Sequence, residues 1–322
     1  MKIVDRLISK IDQYQKSHKW AGFVYAVIKK YGDDQGGYQA ALLTYYGFLS
    51  IFPLLLAATS ILQIILRSYP GLQHSIINHA TNFFPVVGEQ FQSNVHGLGS
   101  AGLVLVVSLL TTIWGAKGVA DAFQYDMNRI WGVPRTERPG FPGKALKSLS
   151  VIFLGGIGLI VTAFLAGFAS SIGRQTIFRV FSIIVSILLL FGIFWGVFKL
   201  GLASSSKVNR HALLRSALTA AIGTEILQIA GGYLVTHELN NLKHLYGTFA
   251  ATLGLLFWIY LQSRVVIYSA EVGVVYGKNL WPRSMDEHRL TDADKRVLSG
   301  LAKNERLVPP QKVDVEFESR DQ

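Results

Sequence analysis

Apolar residues dominate six long stretches of this chain, and charged residues are nearly absent from them. Gln35–Leu66, Gln90–Ala116, Ser148–Gly173 and Val180–Phe198 contain no Asp, Glu, Lys or Arg. Ser216–His237 carries one charge, Glu225, and His244–Ala270 carries one, Arg264. A helix needs roughly 20 apolar residues to cross a hydrocarbon core about 30 Å thick, and each stretch is long enough. No strand-like alternation of about ten residues, the mark of an outer-membrane barrel, accompanies them. The pattern predicts an all-α fold, a polytopic bundle of six transmembrane helices. Their expected limits are about 38–66, 101–116 (continuing as a helix to Trp131), 148–170, 180–199, 211–235 and 246–276.

Three further segments complete the layout. Residues 1–37 form a polar preface in which Trp20, Phe23, Val24, Val27, Ile28 and Tyr31 share one helix face, with Lys19, Lys29 and Lys30 elsewhere on the helix. Such an amphipathic helix either lies in the membrane interface or packs against the end of the bundle. Asp33-Asp34-Gln35-Gly36-Gly37 marks its break. The segment 67–100 predicts a short amphipathic helix over Ile76–Phe84, ended by Pro85. Residues 277–322 form a polar tail, with one short helix at Asp292–Leu301 and a loose end after Pro309 and Pro310. Three regions follow: a preface at 1–37, a six-span domain at 38–276 and a partly disordered tail at 277–322.

Composition sharpens this picture. Half of the 322 residues are apolar and 16% are charged, against about 25% charged in an ordinary soluble domain. The net charge of +11 would suit nucleic acid, but its placement does not. The tail holds nine basic and nine acidic residues, so the excess lies before it. Seven basic residues fall in 1–37, six in 117–147 and four in 199–215, whereas 68–101 has none. That alternation is the positive-inside pattern and places both termini in the cytoplasm. No aromatic and basic recognition motif accompanies the charge, so nucleic acid is not an expected partner. With no Cys, thiolate chemistry and Cys-ligated metals are excluded. His74, His79, His96, His237 and His244 fall in or beside the outer segments, and no pair among them has the i, i+4 zinc spacing. The chain shows no Gly-x-Ser-x-Gly elbow, phosphate-binding loop or His-Glu-x-x-His, so no enzyme activity, catalytic residue, metal or cofactor is expected.

The candidate chemistry is therefore polar groups inside the membrane, which are costly to bury. Glu225 and Arg264 each lie about a dozen residues, roughly 18 Å, from the cytoplasmic end of their span. They are expected to meet as an ion pair facing the bundle interior. Glu271, two turns beyond Arg264 on the same face, is a competing partner. Either the pair fixes helix register or it relays protons or holds substrate. Asp121 and Asp126 are expected to be solvated or locally paired. Small residues in spans three and five, Gly158 and Gly223 among them, allow close helix approach or a homo-oligomer.

Several ordered motifs carry a resemblance. Tyr46-Gly-Phe-Leu-Ser-Ile-Phe-Pro53-Leu54, Phe84-Pro85-Val-Val-Gly88-Glu89 and Asn128-Arg129-Ile130-Trp131 come first. Arg210-His211-Ala212 with Glu225, then Leu245-Tyr246-Gly247, Trp258-Ile-Tyr260 and Ala270-Glu271, follow in order. Together, over residues 20–276, they resemble the YihY/BrkB family of bacterial inner-membrane proteins. The resemblance implies six spans, cytoplasmic ends and a place in the plasma (inner) membrane. It also implies a role in envelope integrity or lipid export, with ribonuclease a mistaken attribution to some members. Arg264, where an apolar residue is expected, and the lack of a proline in 201–206 depart from the pattern. The leading expectation is a non-enzymatic envelope protein that moves or organises lipid or another amphiphile. Its partners would be membrane lipids and, in some settings, a second copy or an envelope protein. The alternatives are a scaffolding membrane protein without substrate and, remotely, a membrane-bound ribonuclease.

Overall fold

The computed structural model describes residues 2–65, 101–171, 176–205, 208–237, 239–286 and 289–318. Among them the fold is all-helical, with no strand. The helices are α1 (Lys2–Ser17), α2 (Lys19–Asp33), α3 (Gly36–Ile65), α4 (Ala101–Ile130), α5 (Gly143–Ser171), α6 (Thr176–Gly201), α7 (Arg210–His237), α8 (Leu239–Gly277) and α9 (Asp292–Asn304). Among the described residues, four stretches are long and apolar enough to cross a membrane: Val106–Ile130, Val180–Gly201, Arg210–Gly231 and Thr252–Gly277. Helices α3 and α5 coincide with the expected first and third spans. The amphipathic helix expected over Ile76–Phe84, with Pro85, lies outside the described residues.

The chain divides into two compact units. One comprises Met1–Ala40, Ala120–Leu227 and Ser263–Gln322, the other Ala41–Val119 and Gln228–Gln262. In the second, bare glycine surfaces receive large rings: Tyr46 lies on Gly118, and Trp258 lies on Gly231. In the first, two antiparallel seams are built the same way. Along α5 and α6, a Cβ on Gly158 would lie 2.9 Å from Ile193, and one on Gly196 would lie 2.6 Å from Leu154. Along α7 and α8, a Cβ on Gly223 would lie 2.8 Å from Val265, one on Gly273 would lie 2.7 Å from the Ala212 carbonyl, and one on Gly277 would lie 2.7 Å from the Ala212 methyl. One glycine on each side of the α5–α6 seam, and small residues one turn apart on both α7 and α8, bring the backbones together, the packing that stands in for hydrophobic driving force in lipid.

Helix ends follow local chemistry. At the end of α4, Gly132 takes φ +73°; its N–H donates to Arg129 O, and Val133 N–H donates to Asn128 O. That is a Schellman close, in which the left-handed residue favours glycine. The end of α8 repeats it with Asn279 at φ +51°. Asn128 also ties α4 to the loop after α6: its Nδ2 donates to Gly201 O at 3.1 Å, and its Oδ1 accepts from Ala203 N at 2.8 Å.

The preface forms two helices, because the chain turns at His18. In α2 the expected apolar face splits. Val27 and Tyr31 are buried, whereas Trp20, Val24 and Ile28 form an exposed stripe. Lys30, expected away from the packed face, is buried. Asp126, expected to be solvated, is wholly buried as well, with neither carboxylate oxygen hydrogen-bonded among the described residues.

The tail folds back onto the preface. Arg283, 1% exposed, donates from Nε to Asp294 Oδ1 at 2.8 Å and from a terminal nitrogen to Asp33 at 2.7 Å. Lys29 reaches Asp294 Oδ1 at 2.9 Å. Asp294 also closes a capping box with Thr291 at the start of α9. Burial by itself raises this carboxyl; hydrogen bonds from Ser284 N, Thr291 and Lys29 more than reverse that and hold it well below its usual 3.8.

Two outcomes follow from this packing. Replacing Gly273 with Leu puts a side chain into the α7 backbone, and a loss of about 1–3 kcal/mol or outright misfolding is expected. Gly155→Ala, with open space around the site, is expected to be neutral or slightly stabilising; melting in detergent compares the two. Because Asp294 is held low in the fold, its contribution is present above about pH 3.8 and is lost as pH falls further through its folded value. Acid melting curves of wild type and Asp294→Asn should therefore lie furthest apart above about pH 4 and draw together progressively as pH falls below it.

Candidate functional site

Two arrangements in the first unit hold most of its polar chemistry. The first is a buried charge cluster. The face of α8 that carries Arg264, Tyr268 and Glu271 meets α2, where Lys30 and Tyr31 lie side by side. Lys30 Nζ pairs with Asp34 and lies 3.5 Å from Glu271 Oε2 and 3.4 Å from Ile130 O. Asp34 and Glu271 are 0% exposed and Lys30 is 5% exposed. Desolvation by itself would weaken the Lys30 ammonium, but Glu271 and Asp34 outweigh it and shift its titration above the ordinary lysine range. One oxygen of each carboxylate, Asp34 Oδ1 and Glu271 Oε1, has no hydrogen-bond partner among the described residues.

Arg264 occupies the neighbouring position. Tyr31 and Tyr268 stack with ring centroids 3.9 Å apart. The Arg264 guanidinium carbon lies 5.7 and 5.6 Å from those two rings, and a terminal nitrogen is 3.4 Å from the Tyr268 hydroxyl. The two rings and the guanidinium form a cation–π arrangement.

Glu225 faces elsewhere. The α7–α8 seam runs through Gly223 and Val265, and two residues along a helix turn the side chain by about 200°. Glu225 therefore points to α6, where Ser186 Oγ donates to its Oε2 at 2.6 Å. The expected Glu225–Arg264 pair is replaced by Glu225–Ser186 and Arg264–Tyr31–Tyr268, while Glu271 takes Lys30. Sequence reasoning missed Lys30, Asp34 and Ser186. A lysine one turn before an aspartate is a signal for the first pair, whereas nothing in the sequence marks Ser186.

The second arrangement is a groove between α6 and α7, about 390 Å³ in volume. Ile187, Leu188, Phe191, Leu214 and Leu218 make its apolar lining. His211, Arg215 and Tyr276 make its polar end, where the Arg215 guanidinium carbon stands 3.4 Å above the Tyr276 ring. Glu225 lies seven residues beyond Leu218, two turns along α7, and Ser186 immediately precedes Ile187. The seam thus runs from a basic end, through an apolar trough, toward a carboxylate.

The motif residues serve packing where they are described. Asn128 holds the loop after α6. Trp131 is 5% exposed, and its carbonyl accepts from Lys278 Nζ at 2.6 Å. Tyr46 and Trp258 cover glycines in the second unit. Pro53, Tyr246 and Gly247 fall in the helical backbone of α3 and α8.

The charge cluster has a direct consequence. Lys30→Met leaves two buried carboxylates without a cation, at a cost of roughly 3–5 kcal/mol. Adding Glu271→Gln to that variant should recover part of the loss. A double-mutant cycle on melting in detergent checks the sign, and strictly additive effects would contradict the pairing.

The sequence has relatives among known proteins. The family described as virulence factor BrkB matches residues 27–292. An UPF0761 membrane protein of a Psychrobacter strain is 27% identical over 84% of this chain and 50% of its own length. The inner membrane protein YhjD of Escherichia coli K12 is 23% identical over 75% of this chain and 77% of its own. A UPF0761 membrane protein of Vibrio atlanticus is 25% identical over 83% of this chain and 86% of its own. The chain thus spans about half the length of the Psychrobacter relative. No solved structure matches. With most of its residues covered by the family match and apolar helices long enough to cross a bilayer, this chain is a membrane protein belonging to the virulence factor BrkB family.

Proposed function

We propose that this chain is a multi-pass protein of the bacterial plasma membrane that moves or organises lipid or another amphiphile. The α6–α7 groove carries the reading: an apolar trough that is basic at one end and leads toward Glu225 at the other. An amphiphile needs both features in one site, a polar anchor for its head and a dry wall for its chain. Leu188 and Leu218 are exposed along this seam, so chains in the surrounding lipid reach it without crossing the protein. The name of the Escherichia coli relative supports the inner membrane.

Six membrane crossings with both ends in the cytoplasm fit the six charge-poor stretches and the alternation of Lys and Arg. In that arrangement the exposed stripe of Trp20, Val24 and Ile28 lets α2 lie in the interface with its apolar side among the lipids. The preface, the membrane domain and the tail then act as three regions in series. No catalytic chemistry enters this reading.

One observation favours a second reading, a scaffold without substrate. Glu271 is fully enclosed by Lys30 and Asp34, as expected of a group that fixes helix register. Reconstitution separates the two. In vesicles holding a fluorescent lipid, wild type is expected to speed transbilayer exchange, and Leu218→Trp, which fills the groove, is expected to slow it several-fold without changing the melting temperature. Exchange that stays at the protein-free rate, or that ignores Leu218→Trp, leaves the scaffold as the function. Degradation of RNA by the purified protein would overturn both.

A further inference from the structure

Resting on the amphiphile reading, we infer that the basic end of the α6–α7 groove holds the phosphate of an anionic phospholipid, with one acyl chain along Leu214, Leu218 and Phe191. Three observations carry this.

Charge complementarity comes first. From Lys199 to Thr224 the sequence contains Lys199, Lys207, Arg210 and Arg215 and neither Asp nor Glu. No carboxylate lines the groove. An anionic headgroup there meets the Arg215 guanidinium and no negative side chain, at a surface where a basic group contributes attraction to acidic lipid.

The second is the posture of Arg215. Its guanidinium carbon stands 3.4 Å above the Tyr276 ring, which fixes the plane of the group and engages its face. A planar guanidinium keeps its N–H donors along its edge, in the fork that matches two phosphate oxygens. Tyr276 thereby organises Arg215 for a ligand in the groove. His211 lies one turn earlier on the same helix face and lines the same end. Both belong to the first turns of α7, where the helix dipole favours an anion. The side chain of Asn209 already accepts from His211 N, so the ligand is left to the side chains.

Shape is the third. The trough of about 390 Å³ falls within the roughly 300–1,000 Å³ of small-molecule sites. Its length from His211 to Leu218, seven residues, is about 10.5 Å. This accommodates the upper part of one acyl chain below a headgroup, while the second chain stays in bulk lipid.

The test is lipid photo-crosslinking of the full chain in vesicles, with p-benzoylphenylalanine in place of Phe191, which keeps the ring already lining the groove, or, as a lipid-facing control, of Phe181. Vesicles contain phosphatidylcholine alone or an equal mixture with phosphatidylglycerol. At Phe191, phosphatidylglycerol is expected to be captured in preference, on the order of fivefold per basic side chain, and more weakly at high salt. Arg215→Gln with His211→Gln should abolish the preference; Arg215→Lys, which keeps the charge, should retain part of it and guards against misfolding. Equal capture of both lipids at Phe191 overturns the phosphate site and leaves the amphiphile groove standing. Capture at Phe181 with none at Phe191 overturns the groove itself. A preference that survives the double substitution also overturns the assignment to these side chains.

Discussion

One lysine ammonium enclosed with two carboxylates sets the terms for the first unit. Lys30, Asp34 and Glu271 come from α2, the turn after it and the last long helix, and none of them retains appreciable contact with solvent. Removing such ions from water is costly, and mutual attraction offsets that only when the geometry is held. The cluster therefore demands that α2 stay docked on α8, and the surrounding contacts serve that docking: the stacked Tyr31 and Tyr268, Arg264 over both rings, and Lys278 on the carbonyl of Trp131. The charged cluster thus adds a directional constraint to the apolar contacts that the buried Ala26, Val27 and Tyr31 make from α2.

The α7–α8 seam gives the complementary constraint. Glycines and alanines let the two backbones approach, and that approach sets the rotation of each helix. Once Gly223 faces Val265, Glu225 must look toward α6 and Arg264 toward α2. A polar group in the membrane thus takes its partner from helix phase, and the carboxylate that lies beyond the groove along the α6–α7 seam owes its direction to packing on the other side of α7.

Much of the architecture was legible in the sequence. Charge-poor stretches located the long helices, the run Asp33–Gly37 marked a real helix end, and the ordered motifs pointed to the right family. The candidate site was legible only in part. Glu271 stood out as an ionisable residue in an apolar helix, but its partner is 241 positions away, and no local spacing reveals that. Asp34 resembled an ordinary turn residue because turns favour acidic side chains. Glu225 and Arg264 matched in depth and sign, yet depth says nothing about azimuth, and the azimuth was fixed by glycines. Asp126 sat among polar neighbours in the sequence and is enclosed in the fold, because α4 continues into the first unit instead of projecting into solvent.

The salt bridges between preface and tail bear on biogenesis. Arg283 and Asp294 supply the counter-ions for Asp33 and Lys29, and a ribosome makes these partners some 250 residues apart. Lys29 and Asp33 emerge early and must wait, without these partners, until the segment that carries Arg283 and Asp294 has been made. Damage around Arg283 and Asp294 would therefore surface as a defect at Lys29 and Asp33, in helices made long before it.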